Sequence, residues 1–382
     1  MSVQYPAVDP EGLLEYSVVF TDRALNHMST VFQQVMRDIS STLKQVYNAD
    51  AVALIPGGGS FGMEAVARQL ATDQKCLVLR NGWFSYRWTQ IFDTGRIPSA
   101  SIVLKARQIS TGKHAAFAPA PIDEVVKTIH AEKPTIVFAA HVETASGIIL
   151  PDDYLRAVAE AVHAVGGLFV LDCVASGTIW VDMKACGIDV LISAPQKGWS
   201  ASPSCALIMM STAARERVEA STSTSFAVDL KKWLQIMLAY ENGGHMYHAT
   251  LPTDALAAFR DAMQETVNTG LTLVKSQQWE LGRRVRAVLA QKGFPSVAAP
   301  GFEAPGVVVS YTDDDQIHNG RKFIEQGMQT AAGVPLMCDE PADYKTFRLG
   351  LFGLDKLQNI EQTVSDLDKA LTAIQSIAKT TA

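Results

Sequence analysis

The feature that most constrains this chain is an alternation of short apolar runs with longer amphipathic stretches, from Ala51 to Met210. This alternation predicts a parallel β-sheet whose strands are joined by covering helices. The strands are expected at Ala51–Ile55, Cys76–Arg80, Ser101–Leu104, Thr135–Ala140, Leu168–Asp172, Val190–Ser193 and Cys205–Met210, with helices between most of them, including Met63–Ala71 and Asp152–His163. Functional side chains are then expected at the carboxyl ends of the strands, where the crossover loops meet.

The rest of the chain predicts a second, smaller α/β unit. A proline-free stretch from Thr253 to Lys292 predicts one long helix. Beyond it, strand, helix, strand and helix are expected at Gly306–Tyr311, Ile317–Ala331, Thr346–Leu351 and Asn359–Ala378. We therefore expect a large domain at 51–252, a connecting helix at 253–292 and a small C-terminal domain at 293–382, after an N-terminal segment at 1–50.

Composition argues against several classes of protein. With 382 residues, 48% of them hydrophobic, the chain can bury a sizeable core. Its 33 basic and 39 acidic residues give a net charge of −6, without the basic run that nucleic-acid binding favours. No apolar segment reaches the roughly 18 residues of a membrane span, and the opening residues lack a leader-peptide pattern. The five scattered cysteines indicate neither disulfides nor zinc, so we expect a cytoplasmic protein without a metal.

The first candidate for chemistry is a glycine-rich turn, Pro56-Gly57-Gly58-Gly59-Ser60-Phe61-Gly62, between a predicted strand and a helix. The N–H groups of Gly59 and Ser60 at a helix N-terminus suit a phosphate. A turn of this kind also occurs where ordinary α/β folds pack, and it matches neither the P-loop nor the dinucleotide-binding spacing. Phosphate binding and plain packing are equally open on this motif alone.

Two consecutive predicted strands lead into charged residues. Asp172 closes the apolar run Leu168–Asp172, where a carboxylate is costly unless it meets a cation or several donors. A helix cap, a metal and a protonated pyridinium nitrogen are all suitable partners. Lys197 follows the run Val190–Ser193. Most single lysines are solvated surface groups, but between core strands the amine is partly desolvated and can form a Schiff base.

Asp172 and Lys197 stand 25 positions apart (197 − 172) within an ordered series of motifs. The chain resembles the class V, fold-type I aminotransferases that depend on pyridoxal 5′-phosphate (PLP), especially the alanine–glyoxylate and serine–pyruvate aminotransferases. Ser193-Ala194-Pro195-Gln196-Lys197 is similar to the family's Ser-x-x-Gln-Lys, and Asp172 lies in its Asp-x-Val-Ala-Ser. The resemblance implies a large α/β domain with a mainly parallel seven-stranded sheet and a small C-terminal α/β domain. It also implies that Lys197 carries PLP and that Asp172 meets the ring nitrogen.

Further motifs imply contacts with the cofactor. Gly59 and Ser60 match the family's phosphate loop, with serine where relatives often have histidine. Phe84, which follows Asn81-Gly82-Trp83, occupies the position of an aromatic residue that stacks on the cofactor ring, where tryptophan is usual. Phenylalanine offers an apolar face of smaller area.

Three more residues acquire roles from the resemblance. Thr144, in the turn His141–Gly147, would lie close to the cofactor, and Gln196 would bind its ring oxygen. Arg348, in Phe347–Gly353, would bind the α-carboxylate of the substrate, for which a guanidinium fork is suited.

The resemblance also implies a homodimer with shared active sites. Met246–Pro252 is similar to a segment that reaches into the neighbouring subunit, where Tyr247 and Thr250 would bind the phosphate. The N-terminal segment at 1–50 would contribute to the dimer and the site. Relatives often open with a Gly-Pro-Gly-Pro-like loop, whereas this chain has Ser17–Arg23 there.

The resemblance implies an enzyme that moves an amino group from an alanine- or serine-like amino acid to a 2-oxo acid such as glyoxylate or pyruvate. Two other donors, 2-aminoethylphosphonate and pyridoxamine, stay open. A lyase or desulfurase is a rival, since Cys338 lies ten positions before Arg348 (348 − 338), although desulfurases carry a histidine where this chain has Gln196. A non-enzymatic sensing module is the last alternative, and it would usually be fused to a DNA-binding domain.

Overall fold

The structure is a computed structural model that describes residues 8–9 and 12–380, with no side-chain description at 377–380. Most of the predicted N-terminal segment at 1–50 is therefore described. Its first residues, which lack a leader-peptide pattern, lie outside the described residues, as do the last two residues of the predicted domain at 293–382.

The described chain consists of helices and strands that alternate along its length. The strands are β1 (Ala51–Pro56), β2 (Lys75–Arg80), β3 (Ala100–Lys105), β4 (Arg107–Gln108), β5 (Phe117–Ala118), β6 (Ile136–Ala140), β7 (Val142–Glu143), β8 (Ile148–Ile149), β9 (Leu168–Asp172), β10 (Val190–Ser193), β11 (Cys205–Met210), β12 (Val307–Tyr311), β13 (Ala331–Ala332) and β14 (Thr346–Gly350). The helices are α1 (Thr30–Tyr47), α2 (Gly59–Leu70), α3 (Trp83–Gly95), α4 (Ile122–Glu132), α5 (Asp152–Ala164), α6 (Met183–Cys186), α7 (Thr212–Ala220), α8 (Leu230–Glu241), α9 (Thr253–Thr269), α10 (Leu271–Gln291), α11 (Asp315–His318), α12 (Arg321–Ile324), α13 (Leu354–Gln358) and α14 (Ile360–Thr380).

Seven strands form a central sheet in the order β1-β11-β10-β9-β6-β2-β3. Only β11 runs antiparallel to its neighbours, β1 and β10. The strands predicted from the apolar runs are these seven, with ends that differ by at most one residue. The mainly parallel seven-stranded sheet is thus confirmed.

The central strands are covered on both faces, which explains why they are continuous apolar runs. Every residue of β6, β9 and β10 is buried. Helix α3 packs on β2, α5 packs on β9, and α2 and α8 pack at the β1–β11 side of the sheet. Strands buried on both faces lose the alternation of apolar and polar residues that a half-exposed strand shows.

The strand directions determine where functional side chains can meet. Because β11 alone is reversed, the carboxyl ends of β1, β2, β3, β6, β9 and β10 lie along one edge of the sheet. The glycine-rich turn, the Asn81-Gly82 turn, the turn that begins at His141 and the loop with Lys197 all follow strands that end at this edge. Loops at such an edge converge on ligands in open α/β sheets.

The structure corrects the single helix predicted from Thr253 to Lys292. Two helices, α9 and α10, meet at Gly270, whose φ of 106° and ψ of 111° are outside the range of ordinary residues. Helix α9 buries Met263 in the core around the central sheet, whereas α10 buries Val274 in the core of the C-terminal part. The break lets the chain pass from one hydrophobic core to the other. The proposed domain boundaries themselves stay predictions.

Two other helix predictions also need correction. The helix expected at Ile317–Ala331 is replaced by two single-turn helices, α11 and α12, and by strand β13, which pairs with β14. Gly320, at φ 82°, separates the two turns in a left-handed conformation that ends helices. The helix expected to begin near Met63 begins at Gly59, so the glycine-rich turn forms its first turn.

Within residues 8–9 and 12–380, no helix is both long and apolar enough to cross a lipid bilayer. The same residues contain no group of three or more His, Cys, Asp or Glu side chains placed to hold a metal ion. The five cysteines are buried free thiols. The cytoplasmic location stays a prediction.

Gly270→Ala should lower the free energy of unfolding by about 1–3 kcal/mol, because a side chain is strained in the conformation of this residue. The measurement is urea denaturation at equilibrium. Thr269→Ala is the matched control, since it loses only the side-chain bond to the Glu265 carbonyl and should cost about 1 kcal/mol or less. Unchanged stability in Gly270→Ala would show that the junction between α9 and α10 does not require glycine.

Candidate active site

Asp172 lies at the carboxyl end of the central strand β9, between Ala140 of β6 and Ile192 of β10. Its carboxylate is buried and accepts one backbone bond, from Val174 N at 2.9 Å. Burial raises the pKa of Asp172 to about 6, against the lowering effect of that bond. A buried carboxylate with a single donor is suited to a cationic partner.

Lys197 lies in the loop that follows β10 and is half-buried. The loop packs so closely that a Cβ on Gly198 would lie 2.0 Å from the carbonyl oxygen of Gly177. The Lys197 ammonium nitrogen, Nζ, lies 4.8 Å from the ring centroid of Phe352. Burial lowers the pKa of Lys197, and the positive charge of Arg348 lowers it further. This amine is therefore deprotonated more readily than that of a solvated lysine.

Arg348 reaches the same region from β14, in the C-terminal part of the chain. Its Nε donates to the Ala332 carbonyl oxygen at 2.7 Å, and its guanidinium carbon lies 5.6 Å from the ring centroid of Phe84. Burial lowers the pKa of Arg348, whereas the negative charge of Glu143 raises it. Arg348, which is predicted to bind the substrate carboxylate, thus lies close to both Phe84 and Lys197.

The sequence alone did not single out Glu143, although it lies in the quoted turn His141–Gly147. Its fully buried carboxylate accepts bonds from Phe84 N at 3.1 Å, from Ser85 N at 2.8 Å and from Ala145 N at 2.9 Å. The Ser85 hydroxyl donates a fourth bond at 2.6 Å. A carboxylate at the N-terminus of α3 is favoured by the helix dipole. Glu143 therefore holds the backbone at Phe84 in place.

The glycine-rich turn lies beside Asp172. A Cβ on Gly59 would lie 2.5 Å from Cγ2 of Val174, the residue whose N–H binds the Asp172 carboxylate. The first N–H groups of α2 have no partner within the helix, as at every helix start. The turn thus offers these donors close to Val174 and Asp172.

Arg87, a residue to which the sequence assigned no role, connects the glycine-rich turn with Phe84. Its Nη1 donates to Ser60 Oγ at 2.7 Å, and its guanidinium carbon lies 5.0 Å from the Phe84 ring centroid. Arg87 follows Phe84 by three residues in α3, a spacing that places two side chains on one helix face. That spacing is the sequence signal that could have identified it.

Gln196 and Asn81 each carry a buried polar atom without a hydrogen-bond partner in the described part of the chain. These atoms are Gln196 Oε1 and Asn81 Nδ2. Buried polar atoms are nearly always paired in native proteins, so these two atoms are available to a ligand or a water molecule. Thr144 is half-buried between Glu143 and Ala145, next to the bonds that fix Phe84.

Tyr247 and Thr250 are not brought to this region within one chain. The Tyr247 hydroxyl lies 3.1 Å from Thr250 Oγ1, and the Tyr247 side chain is 51% exposed. In the described structure, the ring of Tyr247 contacts His27, at 5.5 Å between centroids, rather than Phe84 or Phe352. Their assignment to a partner's phosphate stays a prediction.

Comparison with known proteins identifies the family. Residues 13–333 match the family described as Aminotransferase class-V, and this range covers most of the chain. The chain belongs to the class V aminotransferases.

Relatives of this class V aminotransferase align over nearly its whole length. A soluble hydrogenase small subunit from Synechococcus sp. is 24% identical over 374 residues, which cover 97% of this chain and 92% of the relative. A 2-aminoethylphosphonate–pyruvate transaminase from Salmonella paratyphi B is 25% identical over 357 residues, 91% of this chain and 88% of the relative. The crystal structure of alanine–glyoxylate aminotransferase from Nostoc sp. has a TM-score of 0.75 at 20% identity, over 91% of this chain and 89% of that one.

Class V aminotransferases use PLP, and the site residues of this chain fit that cofactor. Asp172 offers a buried carboxylate for a ring nitrogen, and Lys197 offers a half-buried amine for an aldehyde. Gln196 Oε1 is a buried atom that still needs a partner. The start of α2 at Gly59 offers backbone donors for a phosphate.

The raised pKa of Asp172 gives the cofactor-free protein a defined pH dependence. Since its pKa is about 6 when folded and near 3.8 when unfolded, the folded state binds this proton more tightly. The contribution of Asp172 to stability should therefore fall by about 2–3 kcal/mol as pH rises from about 4 to above 6. Asp172→Asn should remove this loss and be the more stable protein at pH 8, because its amide stays neutral.

Urea denaturation of the cofactor-free proteins between pH 4 and pH 8 measures the effect. Asp22→Asn, a change of an exposed aspartate, is the control and should follow the wild-type curve. A stability difference between wild type and Asp172→Asn that stays constant from pH 4 to pH 8 would contradict the raised pKa of Asp172.

Proposed function

We propose that this class V aminotransferase transfers the amino group of a small amino acid, such as alanine or serine, to a 2-oxo acid such as glyoxylate or pyruvate. The observation that carries the proposal is the placement of Lys197 and Arg348 close enough for the charge of one to lower the pKa of the other. A reactive amine beside a carboxylate-binding guanidinium is the arrangement that a 2-amino acid requires.

Arg348 would orient the substrate through its carboxylate. Among its bonds to the described residues, Arg348 uses only Nε, which donates to the Ala332 carbonyl oxygen. The two terminal nitrogens can therefore form a bidentate pair with a carboxylate. The carboxylate oxygens of Glu143 already accept hydrogen bonds from four donors. It can therefore favour the charge of Arg348 without competing for its terminal nitrogens.

Lys197 would carry the proton between the substrate Cα and its acceptor. Burial and the charge of Arg348 both lower its pKa, which leaves more of the amine unprotonated at neutral pH and so able to act as a nucleophile or to accept a proton. The ring of Phe352, 4.8 Å from Nζ, excludes water from one side of the amine. A proton held there is exchanged with the substrate more readily than with solvent.

PLP, when bound, supplies an electron-accepting ring that takes up the electrons of the breaking Cα–H bond. The negative charge of Asp172 would keep a ring nitrogen protonated, because an ion pair inside the protein favours both charged forms. Gly59 and Ser60 would hold the phosphate, Phe84 would cover one ring face, and Thr144 and Gln196 would bind at the ring edge.

The homodimer with shared active sites is also a proposal. Tyr247 and Thr250 form an exposed hydrogen-bonded pair, beside Met246, which is 44% exposed. Other exposed apolar side chains lie in the N-terminal segment, where Leu13 and Leu14 are 97% and 84% exposed. Apolar surface of this kind is typical of protein interfaces. A partner subunit would bury it and bring Tyr247 to a phosphate.

A second donor, 2-aminoethylphosphonate, is favoured by one observation. Curated relatives at 24–25% identity carry the name 2-aminoethylphosphonate–pyruvate transaminase. A phosphonate is an oxyanion that the guanidinium of Arg348 could bind in place of a carboxylate. Pyridoxamine, the other donor that stays open, has neither a phosphonate nor a carboxylate for Arg348 to bind.

The desulfurase alternative has little support in the geometry of Cys338. Its thiol is buried, and burial raises its pKa to about 12. Its Sγ lies 3.4 Å from the Arg80 carbonyl oxygen. A desulfurase needs a thiolate that can reach the substrate, whereas this thiol is protonated and enclosed.

Lys197→Ala should abolish transamination and the absorption band of protein-bound PLP, because the variant has no amine at this position to bond the aldehyde. Absorption spectra after PLP loading and gel filtration, with an amino-transfer assay, measure both. Lys184→Ala, which alters an exposed lysine paired with Asp50, should retain band and activity. An unaltered spectrum in Lys197→Ala would refute the role of this lysine.

A donor screen tests the substrate proposal. Single-turnover conversion of bound PLP to pyridoxamine phosphate, followed by absorbance, should be fastest with alanine or serine. Arg348→Gln should raise the half-saturating alanine concentration about 10–100-fold, because it removes a charge-assisted contact, and should leave pyridoxamine unaffected. A faster reaction with 2-aminoethylphosphonate than with alanine or serine would replace the proposed donor.

A further inference from the structure

Arg87 is a half-buried cation whose contacts leave most of its donors unused. Among the described residues, its guanidinium has one hydrogen bond, to the neutral hydroxyl of Ser60, and no ion pair with a carboxylate. It also lies over the ring of Phe84, with 5.0 Å between the guanidinium carbon and the ring centroid. A guanidinium has five N–H donors, so four remain for a ligand.

The position of Arg87 connects three parts of the site. The hydroxyl of Ser60 places the guanidinium at the first turn of α2. The contact with Phe84 places it beside the residue assigned to the cofactor ring. The positive charge of Arg87 also lowers the pKa of Asp172, although less than burial raises it, so these two charges are within electrostatic reach.

The chemistry of the glycine-rich turn explains what such a cation would bind. Gly59 and Ser60 offer backbone donors, but neither residue carries a charge to balance a phosphate dianion. Serine stands here where relatives often have histidine. A guanidinium that reaches in from α3 restores a positive charge at this point, and its planar fork matches two phosphate oxygens.

We propose that Arg87 binds the phosphate group of PLP, with the Ser60 hydroxyl holding the guanidinium in position. The proposal rests on the proposed function, because it requires that PLP occupies this site. It assigns Arg87 to the phosphate monoester rather than to the substrate carboxylate, which is left to Arg348. Both arginines contact Phe84, and each then binds one anion.

The experiment compares two ligands that differ only in the phosphate. Cofactor-free protein is titrated with PLP and with pyridoxal, and binding is followed by absorbance and by tryptophan fluorescence. Arg87→Gln should weaken PLP binding about 10–100-fold, since it removes charge-assisted bonds, and should leave pyridoxal binding unchanged. Arg87→Lys should lose less, because it keeps the charge without the fork.

Arg215→Gln is the matched control, since it removes a guanidinium paired with Glu219 on helix α7, outside the site, and should leave the affinity for PLP unchanged. Circular dichroism and thermal melting establish that each variant is folded. Should Arg87→Gln not fold, Arg87→Lys and Ser60→Ala provide the same comparison of the two ligands.

The outcomes separate this proposal from the proposed function. Wild-type protein that binds neither ligand overturns the cofactor assignment, and this proposal with it. Wild-type protein that binds PLP, together with an Arg87→Gln variant that loses both ligands equally or neither, overturns only the phosphate role. If Arg87→Gln binds PLP as tightly as the wild type but binds the amino donor more weakly, Arg87 would instead be assigned to the substrate.

Discussion

Charged groups at the ends of buried strands must find partners, because water cannot solvate them there. Two carboxylates at the carboxyl edge of this sheet meet that requirement to different extents. Glu143 accepts four hydrogen bonds, three of them from backbone N–H groups. Asp172 accepts one, and burial raises its pKa. The fold satisfies the first carboxylate with hydrogen bonds, whereas it leaves the second with a single donor, which suits it to a cationic partner.

The cations of the site also lack partners of opposite charge. Within the described residues, Arg87, Lys197 and Arg348 form no ion pair with a carboxylate, and Arg348 lowers the pKa of Lys197 by repulsion. Half-buried cations without neutralising acids attract anions. Both PLP and an amino acid bring anionic groups, so the arrangement is less favourable in the free protein than in the loaded one. The burial of unbalanced charge is thus what makes this edge of the sheet the candidate binding site.

Close backbone approaches bring these groups together. Gly59 lies against Val174, and Gly198 lies against Gly177, with no room for a Cβ at either position. A Cβ on Gly82 would lie 2.7 Å from the side chain of Glu143. Each glycine therefore lets a loop from one strand contact a loop from another. The close grouping of the charged residues therefore depends on these glycine contacts.

The order of residues along the chain was enough to locate the sheet and the two residues at its centre. Strands buried on both faces must be continuous apolar runs, so their positions are local properties of the chain. The residues that follow the runs parallel to β9 lie at one edge, which is why the amino-acid pattern makes Asp172 and Lys197 candidates. The identity of the cofactor came from the resemblance and from the family match, not from the runs themselves.

Other features depend on tertiary packing. A single glycine is tolerated in a helical stretch, so periodicity could not show that Gly270 breaks the chain into two helices. The bond from Arg87 to Ser60 joins residues 27 positions apart on different helices. The role of Glu143 likewise depends on the distant N-terminus of α3. Such contacts depend on how helices pack against the sheet, and no local pattern of residues encodes that packing.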